Sequence, residues 1–202
     1  MSKLLDIGQK SSLNHKLEAR QRIVAGLSWD AREEKKVGLF GRAKGDSQHD
    51  LDIQCYIYNK NKEFIDFVGA EAQDSMDQSE TIYHSGDDQN GTGDGDDEFI
   101  SAELARMPRE IHGLVFMVEI QSNHVFTDVQ TPETRLADGY DNQNLIEMPI
   151  TGEQAGRSQT FVMCAIQRKS DSPTGWQAHN ISDFPNISKI EDWGSYLSQY
   201  ID

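Results

Sequence analysis

Cysteine is nearly absent from this chain: the two present, Cys55 and Cys164, each lie in an apolar alternating segment. Two thiols exclude a disulfide scaffold and a four-cysteine zinc site, and they suit a reducing compartment. Aromatic residues are sparse at 8%, and the longest apolar runs, such as Gly113 to Val118, are far shorter than the ~20 residues of a membrane-spanning helix. Membrane insertion is therefore not expected, and the N-terminus mixes charge and apolarity too closely for a signal peptide. Basic residues are also scarce, 19 against 34 acids for a net charge of −15. That balance disfavours nucleic acid as a partner, because phosphate contacts need clustered Lys and Arg. The six histidines are scattered and show no His-Glu-x-x-His spacing, and neither a Gly-x-Ser-x-Gly elbow nor a Walker loop occurs. With 202 residues the chain can still bury a core without a disulfide or a cofactor.

What the chain has in excess is acid, concentrated in one place. Residues 69–100 carry ten acidic residues and no Lys or Arg, so −10 of the −15 sits there. Within it, the stretch Gly86–Glu98 holds four Gly and six acids in thirteen residues. Glycines let a backbone curl tightly and turn carbonyls and carboxylates inward. Ca²⁺ takes six to eight oxygens in a flexible shell, whereas Mg²⁺ demands strict octahedral order, so an all-oxygen loop of this kind points to Ca²⁺. The loop is not an EF-hand, since counting from Asp87 puts Thr92 where the sharp turn needs Gly, nor a nine-residue repeat array. The blander reading is a solvated acidic surface, but solubility alone does not call for the glycines.

The rest of the chain reads mostly in period two. Leu51, Ile53, Cys55 and Ile57 alternate with polar or aromatic neighbours, as in a half-buried strand. Similar runs are Arg22–Trp29, Phe64–Val68, Thr81–His84, Phe161–Gln167 and Trp176–Ile181, and Ile111–Ile120 reads as a more buried central strand. Turn-rich segments lie at Gly38–Asp50, Ala70–Ser79, Gly86–Gly95, Ser122–Asn144 and Ser170–Gly175. Seven or more strands with no helical pattern between them predict an all-β, antiparallel β-sandwich. In Asp50-Leu51-Asp52 both carboxylates share one face of a strand while Leu51 points to the core, and that face can close over the glycine-rich loop. One helix is expected at the C-terminus, capped by Ser188 with Glu191 three residues on, and carrying Ile187, Ile190, Trp193, Leu197, Tyr200 and Ile201 at roughly helical intervals. The expected division is a sandwich domain over residues 1–182 and a helical extension over 183–202, docked on the domain's edge.

Ser28-Trp29-Asp30-Ala31-Arg32, Asp50-Leu51-Asp52, and His84-Ser85-Gly86-Asp87-Asp88 running into Gly93-Asp94-Gly95-Asp96-Asp97-Glu98 together resemble the TerD family of tellurium-resistance and stress-response proteins. Arg135 and Trp176 agree more loosely, and the likeness covers roughly residues 3–182. The chain departs from the family at Asn90-Gly91-Thr92, where Thr-Gly-Glu is usual, and at Asp88, where Asn is usual. The resemblance implies a β-sandwich that binds two Ca²⁺ ions at one end, works in the cytoplasm and has no established enzymatic activity. It further implies acidic ligands at Asp50, Asp52, Asp87, Asp94, Asp96, Asp97 and Glu98, with Gly93 and Gly95 shaping the loop and lending carbonyls. The function expected is a non-enzymatic, calcium-ordered interaction module of the tellurite or chemical stress response, with other Ter-type proteins as partners. A calcium-bridged module for phosphate, nucleotide or glycan is the alternative, ahead of a metal-dependent hydrolase, for which the sequence shows no distinct general base.

Overall fold

Eleven strands build two antiparallel sheets in the computed structural model, which describes residues 5–13, 21–31, 49–92, 94–122, 124–169 and 175–202. The strands are β1 (Lys10–Ser12), β2 (Arg22–Asp30), β3 (Leu51–Tyr58), β4 (Phe64–Val68), β5 (Ile82–His84), β6 (Glu98–Glu103), β7 (Gly113–Ile120), β8 (Gln130–Asp138), β9 (Asn144–Pro149), β10 (Thr160–Arg168) and β11 (Trp176–Asp183). One sheet runs β1-β11-β10-β7-β3-β4 and the other β5-β6-β2-β8-β9. This is the β-sandwich that the alternating pattern predicts.

Period-two burial makes the interior. Ile23, Ala25 and Leu27 of β2, and Leu51, Ile53, Cys55 and Ile57 of β3, are fully buried and meet Leu114, Phe116 and Val118 of β7 in one cluster. Cys55 and Cys164 are buried members of that cluster, and burial raises both thiols, so they act as small hydrophobes.

Four strands escape the sequence pattern, the shortest of them Lys10–Ser12. Gln130–Asp138 is a nine-residue strand inside the segment expected to be turns, and Glu98–Glu103 and Asn144–Pro149 are strands as well. β8 presents Glu133 and Arg135 outward and only Thr134 and Leu136 inward over its middle, so its apolar signal is faint. The expected turns at Gly38–Asp50 and Ser170–Gly175 lie mostly outside the described residues.

The C-terminal segment differs from its expectation in start, length and position. The α-helix, α1, is only Trp193–Leu197, and Asp192 caps it by accepting the N–H of Ser195. Ser188 and Glu191 form no capping box there; Ser188 lies in a 3-10 turn (Ile187–Lys189) whose cap is Asn186. Nor does the segment sit on an edge. Leu197 and Ile201 pack on Tyr56, Tyr58, Val115 and Met117, the outward-facing residues of the six-stranded sheet. That third layer explains why Gly113–Val118 is apolar on both faces.

Candidate functional site

The acidic stretch meets the sandwich where β3 outruns its neighbour. β4 pairs with Cys55–Tyr58 only, so among the described residues the first half of β3 has no strand on that side. The Ile53 N–H, which turns away from β7, is met by Glu98 Oε2 at 3.0 Å. Glu98 Oε1 accepts from the Asp88 N–H at 3.0 Å, and the residue is fully buried. One side chain thus joins the first residue of β6, the opposite sheet and the glycine-rich loop. His84, the last residue of β5, completes the arrangement. Its Nδ1 accepts the Gly86 N–H at 3.0 Å, which leaves the proton on Nε2, 3.3 Å from Glu98 Oε2.

Above this support stand Asp50, Asp52 and Asp87. Asp50 and Asp52 project from one face of the chain entering β3, and Asp87 arrives from the loop. Each offers a carboxylate oxygen, and the three oxygens lie within 4.8 Å of one another. Asp50 Oδ1 is buried with no hydrogen-bond partner. Burial raises the Asp50 carboxyl, and the charges of Asp87, Glu98 and Asp88 raise it further. Burial also raises Asp52, to about 7, reinforced by Glu98, Asp50 and Asp87 and opposed only by His84. Three hard oxygen donors, one of them an orphaned buried atom, fit a divalent cation of the Ca²⁺ type.

Of the other acids of the expected ligand set, Asp94, Asp96 and Asp97 lie apart from the trio, and Glu98 lies beneath it with both oxygens engaged. Asp96 turns to the outer face of the five-stranded sheet, where Arg135 grips both its oxygens: Nε to Oδ1 at 2.8 Å and Nη2 to Oδ2 at 2.7 Å. Its carboxylate lies over Gly26 so closely that a Cβ there would stand 2.4 Å away. Asp97 Oδ2 accepts the Trp29 N–H at 2.9 Å, and burial leaves its carboxyl raised despite that bond. Glu98 is committed to the two N–H groups of Ile53 and Asp88. Asp94 and Gly95 are exposed, and Gly93 lies outside the described residues. Among the described residues, then, only Asp50, Asp52 and Asp87 converge.

The loop's shape depends on two further contacts. Asp88 Oδ1 accepts the N–H groups of Asn90 and Gly91 at 2.8 and 2.9 Å, closing a turn. Gly91 has φ +60°, and a Cβ on it would stand 2.5 Å from Trp29 Nε1 and 2.6 Å from the Trp29 carbonyl oxygen. Trp29 Nε1 in turn donates to the His49 carbonyl at 3.1 Å, next to Asp50. Trp29 is therefore the buried anchor between loop and trio. Sequence reasoning missed the roles of Arg135 and His84. A lone arginine in a faint strand, and a histidine ending one, carried no spacing signal.

The family profile described as the TerD domain matches residues 1–181. The tellurium resistance protein TerZ of Serratia marcescens is 33% identical over 132 residues, covering 64% of this chain and 66% of that protein. The tellurium resistance protein TerX of the same organism is 28% identical over 222 residues, covering 100% of both. Among solved structures, a homologue of telluride resistance protein (TerD) from Streptomyces coelicolor A3(2) superposes with a TM-score of 0.65 at 20% identity, covering 89% of this chain and 96% of that one. At that identity the likeness speaks to the fold.

Proposed function

We propose, from the premise that this chain belongs to the TerD domain family, that Asp50, Asp52 and Asp87 hold a Ca²⁺ ion and that the ion orders the acidic end of the sandwich into a recognition surface. The observation that carries the reading is the convergence of the three carboxylates around the unpartnered Asp50 oxygen. When bound, Ca²⁺ supplies the positive charge that offsets their mutual repulsion. Glu98 fixes the β3 backbone against the loop, Asp88 and Gly91 hold the loop's turn, and Trp29 ties both to the chain before Asp50.

The role is a non-catalytic interaction module in the tellurite or chemical stress response, acting in the cytoplasm with Ter-type partners. The names of the Serratia relatives support the response. The expected second ion has Asp94 and the carbonyls near Gly95 left to draw on, because Asp96, Asp97 and Glu98 are engaged by Arg135, Trp29, Ile53 and Asp88. Asp87 is exposed while Asp50 and Asp52 are half-buried, so one side of the trio faces solvent. That exposure favours, as a second reading, an ion that bridges to an anionic ligand.

Calorimetric titration with Ca²⁺ tests the assignment. Asp52→Asn and Asp87→Asn should each weaken binding at least tenfold, and Asp96→Asn should leave it within about twofold. Affinity unchanged by both Asp52→Asn and Asp87→Asn would remove the trio from the coordination shell.

A further inference from the structure

The C-terminal segment has the properties of a ligand carried by its own receptor. The family profile ends at residue 181, within β11, and the segment that follows this strand packs back over the six-stranded sheet. The surface that the segment covers is a cluster separate from the interior: Tyr56, Tyr58, Val115, Met117, Val162 and Ala165, all on the outward face of the six-stranded sheet.

That surface is a shaped seat. Gly113 opens a notch for Ile201, since a Cβ there would lie 2.5 Å from Ile201 Cδ1. Gly194 rests on the Phe64 ring, with a Cβ position 2.9 Å from Phe64 Cγ, while Tyr58 donates its hydroxyl to the Gly194 carbonyl at 2.8 Å. At the far end Lys10 Nζ pairs with the Asp202 carboxylate at 2.6 Å, and the Asp202 N–H donates to Gln167 Oε1 at 2.9 Å. Apolar anchors at two depths and polar clamps at the end specify both position and direction.

The tether to this seat is different in character. Asn186–Lys189, Glu191 and Asp192 are exposed, and Ile187 is 47% exposed. The hydrogen bonds of this stretch stay within it or run to the first turn of α1: Ser188 and Lys189 to Asn186, Ile190 to Ile187, Ser195 and Tyr196 to Asp192. An element seated on its own surface and joined by an exposed connection is the geometry from which identical segments exchange between copies.

We propose that the outer face of the six-stranded sheet is a docking surface for the C-terminal segment of this protein, and that a second copy of the chain can supply that segment in place of the resident one. In an isolated chain the tether holds the segment at an effective concentration on the order of millimolar, so the resident copy wins at micromolar protein. Exchange becomes visible when the resident copy is disabled. The proposal stands apart from the calcium reading, and no metal enters its test.

Two full-length variants test it. Leu197→Asp with Ile201→Asp spoils the segment and leaves the seat open. Gly113→Leu fills the notch and leaves the segment intact but unseated. Each alone should sediment as a monomer, and an equimolar mixture should form a one-to-one dimer. A fluorescent peptide of residues 184–202 should bind the first variant at least tenfold more tightly than the unmodified protein, and the same peptide carrying Leu197→Asp should not bind. Absence of both dimer and peptide binding, with the first variant melting cooperatively, would overturn the proposal. So would loss of that cooperative melt, because the segment would then be an inseparable part of one core. If the Gly113→Leu chain fails to fold, the peptide arm decides alone.

Discussion

At the scale of single residues, neighbouring acids do different work. Asp96, Asp97 and Glu98 are consecutive, yet Asp96 meets Arg135 on the outer face, Asp97 caps the Trp29 N–H, and Glu98 enters the interior. Asp96→Asn should lower stability by about 1–3 kcal/mol, the scale of hydrogen bonds to charged groups, in a denaturant melt. Gly91→Ala should cost on the order of 1–3 kcal/mol, through its φ of +60° and its clash with Trp29. Asp52 gives a pH signature in the metal-free protein. Its folded pKa, about 7, lies above the usual 3.8, so the native state holds that proton more tightly than the unfolded chain does. Below pH 3.8 both states are protonated and there is no penalty. As the pH rises from 3.8 to about 7 the penalty grows, and above that it is complete. Between those pH values, melting temperatures measured in chelator should fall in the unmodified protein relative to Asp52→Asn. Parallel curves would place Asp52 outside the crowded cluster.

At the scale of elements, legibility followed how strongly each segment alternates. β2 and β3 carry apolar residues at period two, β7 and β10 are continuous apolar runs, and all four were readable directly. β8 was not, because its outward face carries Glu133 and Arg135 and it contains Pro132, and its strand character comes from pairing with β2 and β9. Leu136→Ala should therefore cost about 2–5 kcal/mol, as for a buried leucine in a core strand. A loss near zero would make this segment the turn that the sequence pattern implies. The C-terminal helix was visible as a periodicity but not as a position. Apolar spacing shows that a helix buries a face; it does not say which surface receives it. The candidate site divides in the same way. Asp50 and Asp52 were legible because alternation puts them on one face, and Asp87 through the resemblance of its glycine-rich loop to the TerD family. The divergence of Asp96, Asp97 and Glu98 was not, since a run of acids entering a strand gives no sign of which way each side chain turns.

At the scale of the whole molecule, the charge distribution and the fold lead to one claim. Most of the −15 net charge lies in one stretch, and the sandwich draws part of it together at one end around Asp50, Asp52 and Asp87. Without a cation, this concentration opposes the packing that Glu98 and Trp29 impose, so Ca²⁺ should couple to stability. Thermal melts in chelator, in Ca²⁺ and in Mg²⁺ test this most directly. Ca²⁺ at about 100 times its dissociation constant adds about 2.7 kcal/mol for one site. At roughly 2–4 °C per kcal/mol for a domain of this size, the melting temperature should rise by roughly 5–11 °C. Mg²⁺ at the same concentration should give much less, and Asp52→Asn with Asp87→Asn should abolish the Ca²⁺ response. Identical melting curves in chelator and in Ca²⁺ would contradict the account, leaving the trio as a solvated acidic surface.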